Sequence, residues 1–120
     1  MEGLSAVRII AASTLALAIT GCTTGPPPPT AQEKSEALRA AIACMHAAAI
    51  KLDDGTSDAT AVARGLKASC WGEWARSQDM ISKSQDWGAY GDALFHRHDD
   101  EMFMTQATNA VLIERANRRH

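Results

Sequence analysis

A short polar segment in the C-terminal third of the chain carries residue types that bind transition metals. It reads HRHDDEM from His96 to Met102, and imidazole, carboxylate and thioether groups are all ligands for zinc or copper. On a helix, His96 and His98 point about 200° apart, whereas His96 with Asp100, or His98 with Met102, shares a face. Each pair supplies too few ligands for a closed site. The sequence therefore predicts a solvated acidic turn and no metal, with a metal-binding protein as an alternative.

Four aromatic residues form the second candidate site: Trp71, Trp74, Trp87 and Tyr90. Their faces could stack on the sugars of peptidoglycan or on a peptide, which makes a cell-wall ligand-binding module another alternative. Large amphipathic rings also fill small cores, so the same residues could plug the open end of a helical hairpin. His46 is interpreted as a residue that flanks an apolar helix face.

The chain contains no pattern typical of a catalytic site. A Ser-His-Asp order with a nucleophile elbow, a glycine-rich phosphate loop and a paired metal motif are all missing from the sequence. We therefore expect a protein that is not an enzyme.

The residues Ile19-Thr20-Gly21-Cys22 follow an apolar stretch and precede Thr-Thr-Gly and four prolines. This segment resembles the lipobox of bacterial prelipoproteins, whose four positions hold an aliphatic residue, a small residue, either Gly or Ala, and finally Cys. This resemblance covers about the first 22 residues and implies a diacylglyceryl group on the Cys22 sulfur and cleavage before Cys22. The covalent lipid would be the only cofactor. The resemblance names no family for the rest of the chain.

The residues before the lipobox suit a secretory signal peptide, with Arg8 preceding most of an apolar region of 13 residues from Val7 to Ile19. A transmembrane anchor or a buried N-terminal helix is the alternative, but a spanning helix needs about 20 residues. We expect a signal peptide at 1–21, a lipidated Cys and Pro-rich tether at 22–30, and a helical domain at 31–120. In this lipoprotein class, Thr23 in place of Asp implies transport to the outer membrane, with the domain facing the periplasm.

The three cysteines fit an exported protein. Lipidation of Cys22 would leave Cys44 and Cys70 as a pair in an oxidising compartment. The two cysteines lie at similar heights on the two helices of a predicted hairpin, so a disulfide between them is geometrically plausible. Two separately buried thiols are the alternative.

Composition and charge exclude other classes. The net charge is −2, and cleavage before Cys22 would remove one acid and one base and leave it unchanged. Because the few clustered arginines, Arg115, Arg118 and Arg119, suit the C-terminal end of a helix, nucleic acid is not an expected partner. Frequent alanine and the lack of period-two alternation predict an all-α domain.

The helical pattern predicts about three helices. A capping box at Thr30 and Glu33 begins the first helix, and Gly55 follows its end. Thr56, Ser57 and Asp58 offer N-caps for a second helix, which continues to about Lys83 or kinks near Gly72. The predicted buried stripes of these two helices are Leu38, Ala41, Ile42, Met45, Ala48, Ala49 and Leu52, and Ala59, Val62, Ala63, Leu66, Cys70, Trp74 and Ile81.

The last part of the chain is the least regular. Trp87, Gly88 and Gly91 predict a loop, and a third helix is expected from about Asp92 to Asn117. Its predicted stripe, Phe95, Met102, Leu112 and Ala116, shares a face with His98, Thr105 and Asn109. We therefore expect partner contacts on this helix and the preceding loop. The overall hypothesis is a membrane-anchored, non-catalytic accessory or interaction module of the cell envelope, with an envelope protein or peptidoglycan as partner.

Overall fold

The computed structural model describes residues 25–120, and within that range the fold is entirely helical. Three long helices and one short helix are present: α1 (Ala31–Leu52), α2 (Ala59–Lys83), α3 (Gly88–His96) and α4 (Asp99–Asn117). The predicted all-α class is confirmed. No helix in this part of the chain combines the length and the apolar character needed to cross a membrane.

The first two helices begin where their local sequence predicts. At α1, the Thr30 hydroxyl accepts from the Glu33 amide while the Glu33 carboxylate accepts from the Thr30 amide at 2.7 Å, which completes the capping box. At α2, the Asp58 carboxylate accepts from the amides of Thr60 and Ala61. Gly55, at φ +78°, lies in the turn between the two helices. α2 runs through Gly72 to Lys83 without interruption.

Contacts along α1 and α2 show that they form an antiparallel hairpin. Cys44 is joined to Cys70 by a disulfide, with Cα atoms 5.7 Å apart. The Lys34 ammonium donates to the Ser84 hydroxyl at 3.1 Å, so the start of α1 lies beside the end of α2. The predicted disulfide-linked hairpin is confirmed, and the alternative of two separate thiols is wrong.

The core lies where α4 packs against the hairpin. α1 contributes Ala41, Met45, Ala48 and Ala49, and α2 contributes Val62, Ala63, Leu66, Cys70 and Trp74. The predicted stripes of α1 and α2 contain all of these residues. Their other members are not fully buried: Leu52 is 51% exposed, and Leu38, Ile42, Ala59 and Ile81 are partly buried. Small alanine side chains allow the helix backbones to approach closely, and Met45, Leu66 and Phe103 fill the remaining space.

The expected third helix is corrected in two respects. It is divided into α3 and α4 at Arg97 and His98, and α3 begins within the segment predicted as a loop. The amide of His98 lies 3.5 Å from the Phe95 carbonyl, outside the regular helical ladder. Three acidic residues at 99–101 then favour a new helix N-terminus, since negative charge is stabilised there.

The buried stripe of α4 also differs from the prediction. Its buried apolar residues are Phe103, Ala107, Ala110 and Val111, whereas Leu112 is 50% exposed and Ala116 is exposed. The helix break changes the register of the stripe, because α4 starts a new helical turn at Asp99. α4 is therefore a core helix, and the expected partner surface is reduced to α3 and the residues before it.

Candidate functional site

The most exposed aromatic surface among the described residues lies on α3. Trp87, Tyr90 and Leu94 are 46%, 78% and 43% exposed. Tyr90 and Leu94 are four residues apart on α3 and so lie on one side of that helix. Trp87 is the residue that immediately precedes the helix. We call these three residues the α3 face. It contains two of the four aromatic residues that the sequence singles out.

The indole of Trp87 is held in place by α3 itself. A Cβ added at Gly91 would lie 2.4 Å from the Trp87 Cβ, so only glycine permits this approach. The Trp87 ring then packs on Phe95, with centroids 5.3 Å apart. Gly88, at φ +65°, makes the turn into the helix. The exposed indole is thus positioned by specific packing.

Polar contacts fix α3 to the end of α2. The buried Ser82 hydroxyl donates to the Asp92 carboxylate. A cleft of about 360 Å³ separates the end of α2 from the start of α3, and its walls include Asp79, Lys83 and Trp87. Burial of Ser82, like that of Ser77 and Gln78 on the same helix, is not predicted by the apolar pattern.

His96 and His98 lie at the joint between α3 and α4 but do not share a site. The His96 Nδ1 lies 2.5 Å from the Asp99 carboxylate, and its Nε2 lies 3.5 Å from Asp92. Hydrogen bonding to Asp99 raises the pKa of His96, although partial burial opposes the effect. His98 lies 3.7 Å from Glu101 instead. Within residues 25–120, no group of three or more His, Cys, Asp or Glu side chains could hold a metal ion.

Trp71 and Trp74 belong to the core rather than to the exposed aromatic surface. Both rings pack edge-on against Phe103 of α4, at centroid distances of 5.5 and 6.1 Å. Trp74 is buried, and the Lys67 ammonium lies over the Trp71 ring at 4.7 Å. These two residues fill the space between the hairpin and α4. This agrees with the prediction that large rings plug the open end of the helical hairpin. Only Trp87 and Tyr90 remain free to stack on a ligand.

Sequence reasoning missed an ion-pair cluster at the opposite end of the bundle. Arg115 donates to both oxygens of Asp53, and Arg118 donates to Asp53 Oδ2 at 2.6 Å. The Asp53 side chain is fully enclosed. Its hydrogen bond to Arg115 lowers its pKa to about 2, against the opposing effect of burial. These arginines therefore hold α4 to the turn after α1, beyond any interaction with a helix dipole.

A second contact of this kind places His46. Its Nδ1 lies 2.8 Å from the Glu114 carboxylate on α4, and its side chain is 29% exposed. His46 thus flanks the core, as predicted, and links α1 to α4. The sequence could not identify Glu114 as its partner, since 68 residues separate the two.

The four prolines of the tether lie along the end of α2. Pro26 to Pro29 line an open cleft of about 600 Å³ together with Arg76, Asp79, Met80 and Lys83. Asp79 and Lys83 also line the cleft beside Trp87. The tether and α3 therefore both border the same stretch of α2. The predicted signal peptide and Cys22 fall outside the described residues.

Comparison of the chain with protein-family profiles, with curated proteins and with solved structures finds no significant match.

Proposed function

We propose that this protein is a lipid-anchored, non-catalytic interaction module of the bacterial cell envelope. The anchor is a covalent lipid on Cys22, and the helical domain faces the periplasm from the outer membrane. The lipobox residues Ile19 to Cys22 support the anchor. The Thr at position 23, rather than Asp, supports the outer-membrane location.

The pairing of Cys44 with Cys70 is the single observation that carries this proposal. A disulfide between two helices is typical of an exported domain, because thiols in the cytosol are kept reduced. The chain has three cysteines, so this pair leaves Cys22 alone, at the position where the lipobox pattern requires a cysteine for lipidation.

The geometry of the described residues supports a binding role rather than catalysis. The titratable groups with altered pKa values are engaged in capping, turn, intrahelical or interhelical contacts, as Asp53, Lys83 and His96 illustrate. The clefts in this part of the chain are open, and the exposed apolar groups of the α3 face are suited to contact with another surface.

Mass spectrometry of protein expressed in a bacterial host tests the anchor. We expect a mature chain that starts at an acylated Cys22 and sediments with membranes. The variant Cys22→Ser should accumulate as an uncleaved precursor without acyl mass, whereas the neighbouring Thr24→Ser control should be processed normally. Wild-type protein without an acyl group on Cys22 would refute the proposal.

A second candidate function is favoured by the exposure of Trp87 and Tyr90. The protein could bind a cell-wall ligand by stacking these rings on sugars. Sedimentation with purified peptidoglycan would test it: binding that is lost in Trp87→Ala but kept in Trp71→Phe would support this function. Equal sedimentation of all three proteins would contradict it.

A further inference from the structure

We infer that the α3 face docks on the interfacial region of the same phospholipid bilayer that holds the lipid anchor. This inference depends on the proposed function, because it requires acyl chains on Cys22. It assigns a second membrane contact to the domain, made by the side chains of Trp87, Tyr90 and Leu94.

The path of the chain places the α3 face near the anchor. Gly25 is three positions after Cys22, so their Cα atoms lie at most about 11 Å apart. Pro26 to Pro29 then lie against the end of α2, in a cleft that shares Asp79 and Lys83 with the cleft beside Trp87. The tether therefore brings the lipid to the end of the bundle that carries α3.

The orientation of the bundle strengthens this argument. Lys34 near the start of α1 contacts Ser84 just after α2, and Ser82 contacts Asp92 of α3. The turn after α1, with Asp53 and its arginine partners, lies at the other end of the hairpin. A bilayer that holds Cys22 thus faces α3 and lies far from Asp53.

The chemistry of the α3 face fits the interfacial region of a phospholipid bilayer. Tryptophan and tyrosine are enriched where membranes meet water, because one part of each ring is apolar and the other carries a polar group. Tyr90 is 78% exposed and Leu94 is 43% exposed. Shallow insertion of these side chains would remove apolar surface from water. Contact with one bilayer, already brought close by the tether, needs no separate partner.

Quenching of tryptophan fluorescence by brominated lipids tests the contact. Full-length protein, processed in a bacterial host and purified in detergent, is reconstituted into phosphatidylethanolamine and phosphatidylglycerol vesicles with brominated or unmodified acyl chains. We expect emission to be quenched in the brominated vesicles. Trp87→Phe should lose at least half of this quenching, since Trp74 is buried and Trp71 packs on Phe103.

A matched pair of double variants locates the contact. Tyr90→Ser with Leu94→Ser should reduce the quenching at least twofold. Ile50→Ser with Leu52→Ser removes apolar groups that are 62% and 51% exposed near the opposite end of the bundle. The tryptophan emission of this variant should be quenched as much as that of the wild type. Equal quenching of both variants, or none in the wild type, would overturn the inference.

The acyl mass of Cys22 is measured on the same samples to separate the two proposals. An acylated protein whose Trp87 is not quenched refutes docking of α3 and leaves the anchor intact. A protein without acyl mass refutes the proposed function and, with it, the docking.

Discussion

Arg115 and Asp53 join the end of α4 to the turn after α1, although they are 62 residues apart in the chain. The guanidinium donates to both carboxylate oxygens, at 3.0 and 2.7 Å, and so fixes the C-terminal part of α4 on the turn that follows α1. Arg118 adds a further contact to the same carboxylate. A buried carboxylate of this kind needs its partners, because removal of one leaves an uncompensated charge.

Replacement of Asp53 by Asn should lower the thermal midpoint of the protein. It should also make that midpoint fall less as the solution is acidified. The pKa of Asp53 in the folded protein, about 2, lies below its ordinary value of 3.8. Its contribution is therefore present above about pH 4 and is lost as pH falls toward 2. Melting curves between pH 2 and pH 6 measure it. Glu73→Gln, at an exposed carboxylate on α2, is the control. If the melting midpoint of Asp53→Asn falls with acid as steeply as that of the wild type, the prediction is contradicted.

Loss of the disulfide should destabilise the domain by about 3.5 kcal/mol, the loop-closure entropy of a 26-residue separation. Urea unfolding of the wild type with and without reductant measures this difference in the free energy of unfolding. The double variant Cys44→Ala with Cys70→Ala should resemble the reduced protein and should not respond to reductant. A response of that variant, or an unaffected wild type, would argue against a structural disulfide.

Phe103 joins α4 to both core tryptophans and is completely buried. Phe103→Ala should therefore cost about 3–5 kcal/mol of stability, as expected for a large side chain removed from a core. The near-ultraviolet circular dichroism of the tryptophans should weaken. Leu112→Ala, on the same helix but half exposed, should change stability by only about 0.5 kcal/mol. Similar losses in both variants would show that α4 packs on a different face.

The contact between His96 and Asp99 should make the joint of α3 and α4 sensitive to pH. The pKa of His96 is raised above its ordinary value of 6.5. The contact therefore stabilises the fold fully below about pH 6.5 and is lost as pH rises through the raised pKa. Nuclear magnetic resonance titration of the imidazole checks this direction. His96→Gln should remove the effect and His98→Gln, whose side chain is 64% exposed, should keep it; a His96 pKa below 6.5 would contradict the prediction.

Several features could be predicted because they depend on residues close together in the chain. The capping box at Thr30, the N-cap at Asp58 and the apolar spacing of α1 and α2 all involve contacts within about one helical turn. The disulfide followed from similar positions of Cys44 and Cys70 along two helices joined by a short turn. The lipobox interpretation stays a prediction, since those residues lie outside the described part of the chain.

The tertiary structure alone decided which partners the buried residues meet. The apolar stripe of the second helix predicted that Trp74 is buried, but only the structure shows that its ring packs on Phe103 and that Trp87 remains half exposed just before α3. Likewise, Arg115 and Asp53 carry no sign of each other in the sequence, because their contact exists only once α4 lies beside the turn after α1. Helical periodicity determines which side chains share a face, whereas packing between distant helices determines which faces meet and which of them stay open to a partner.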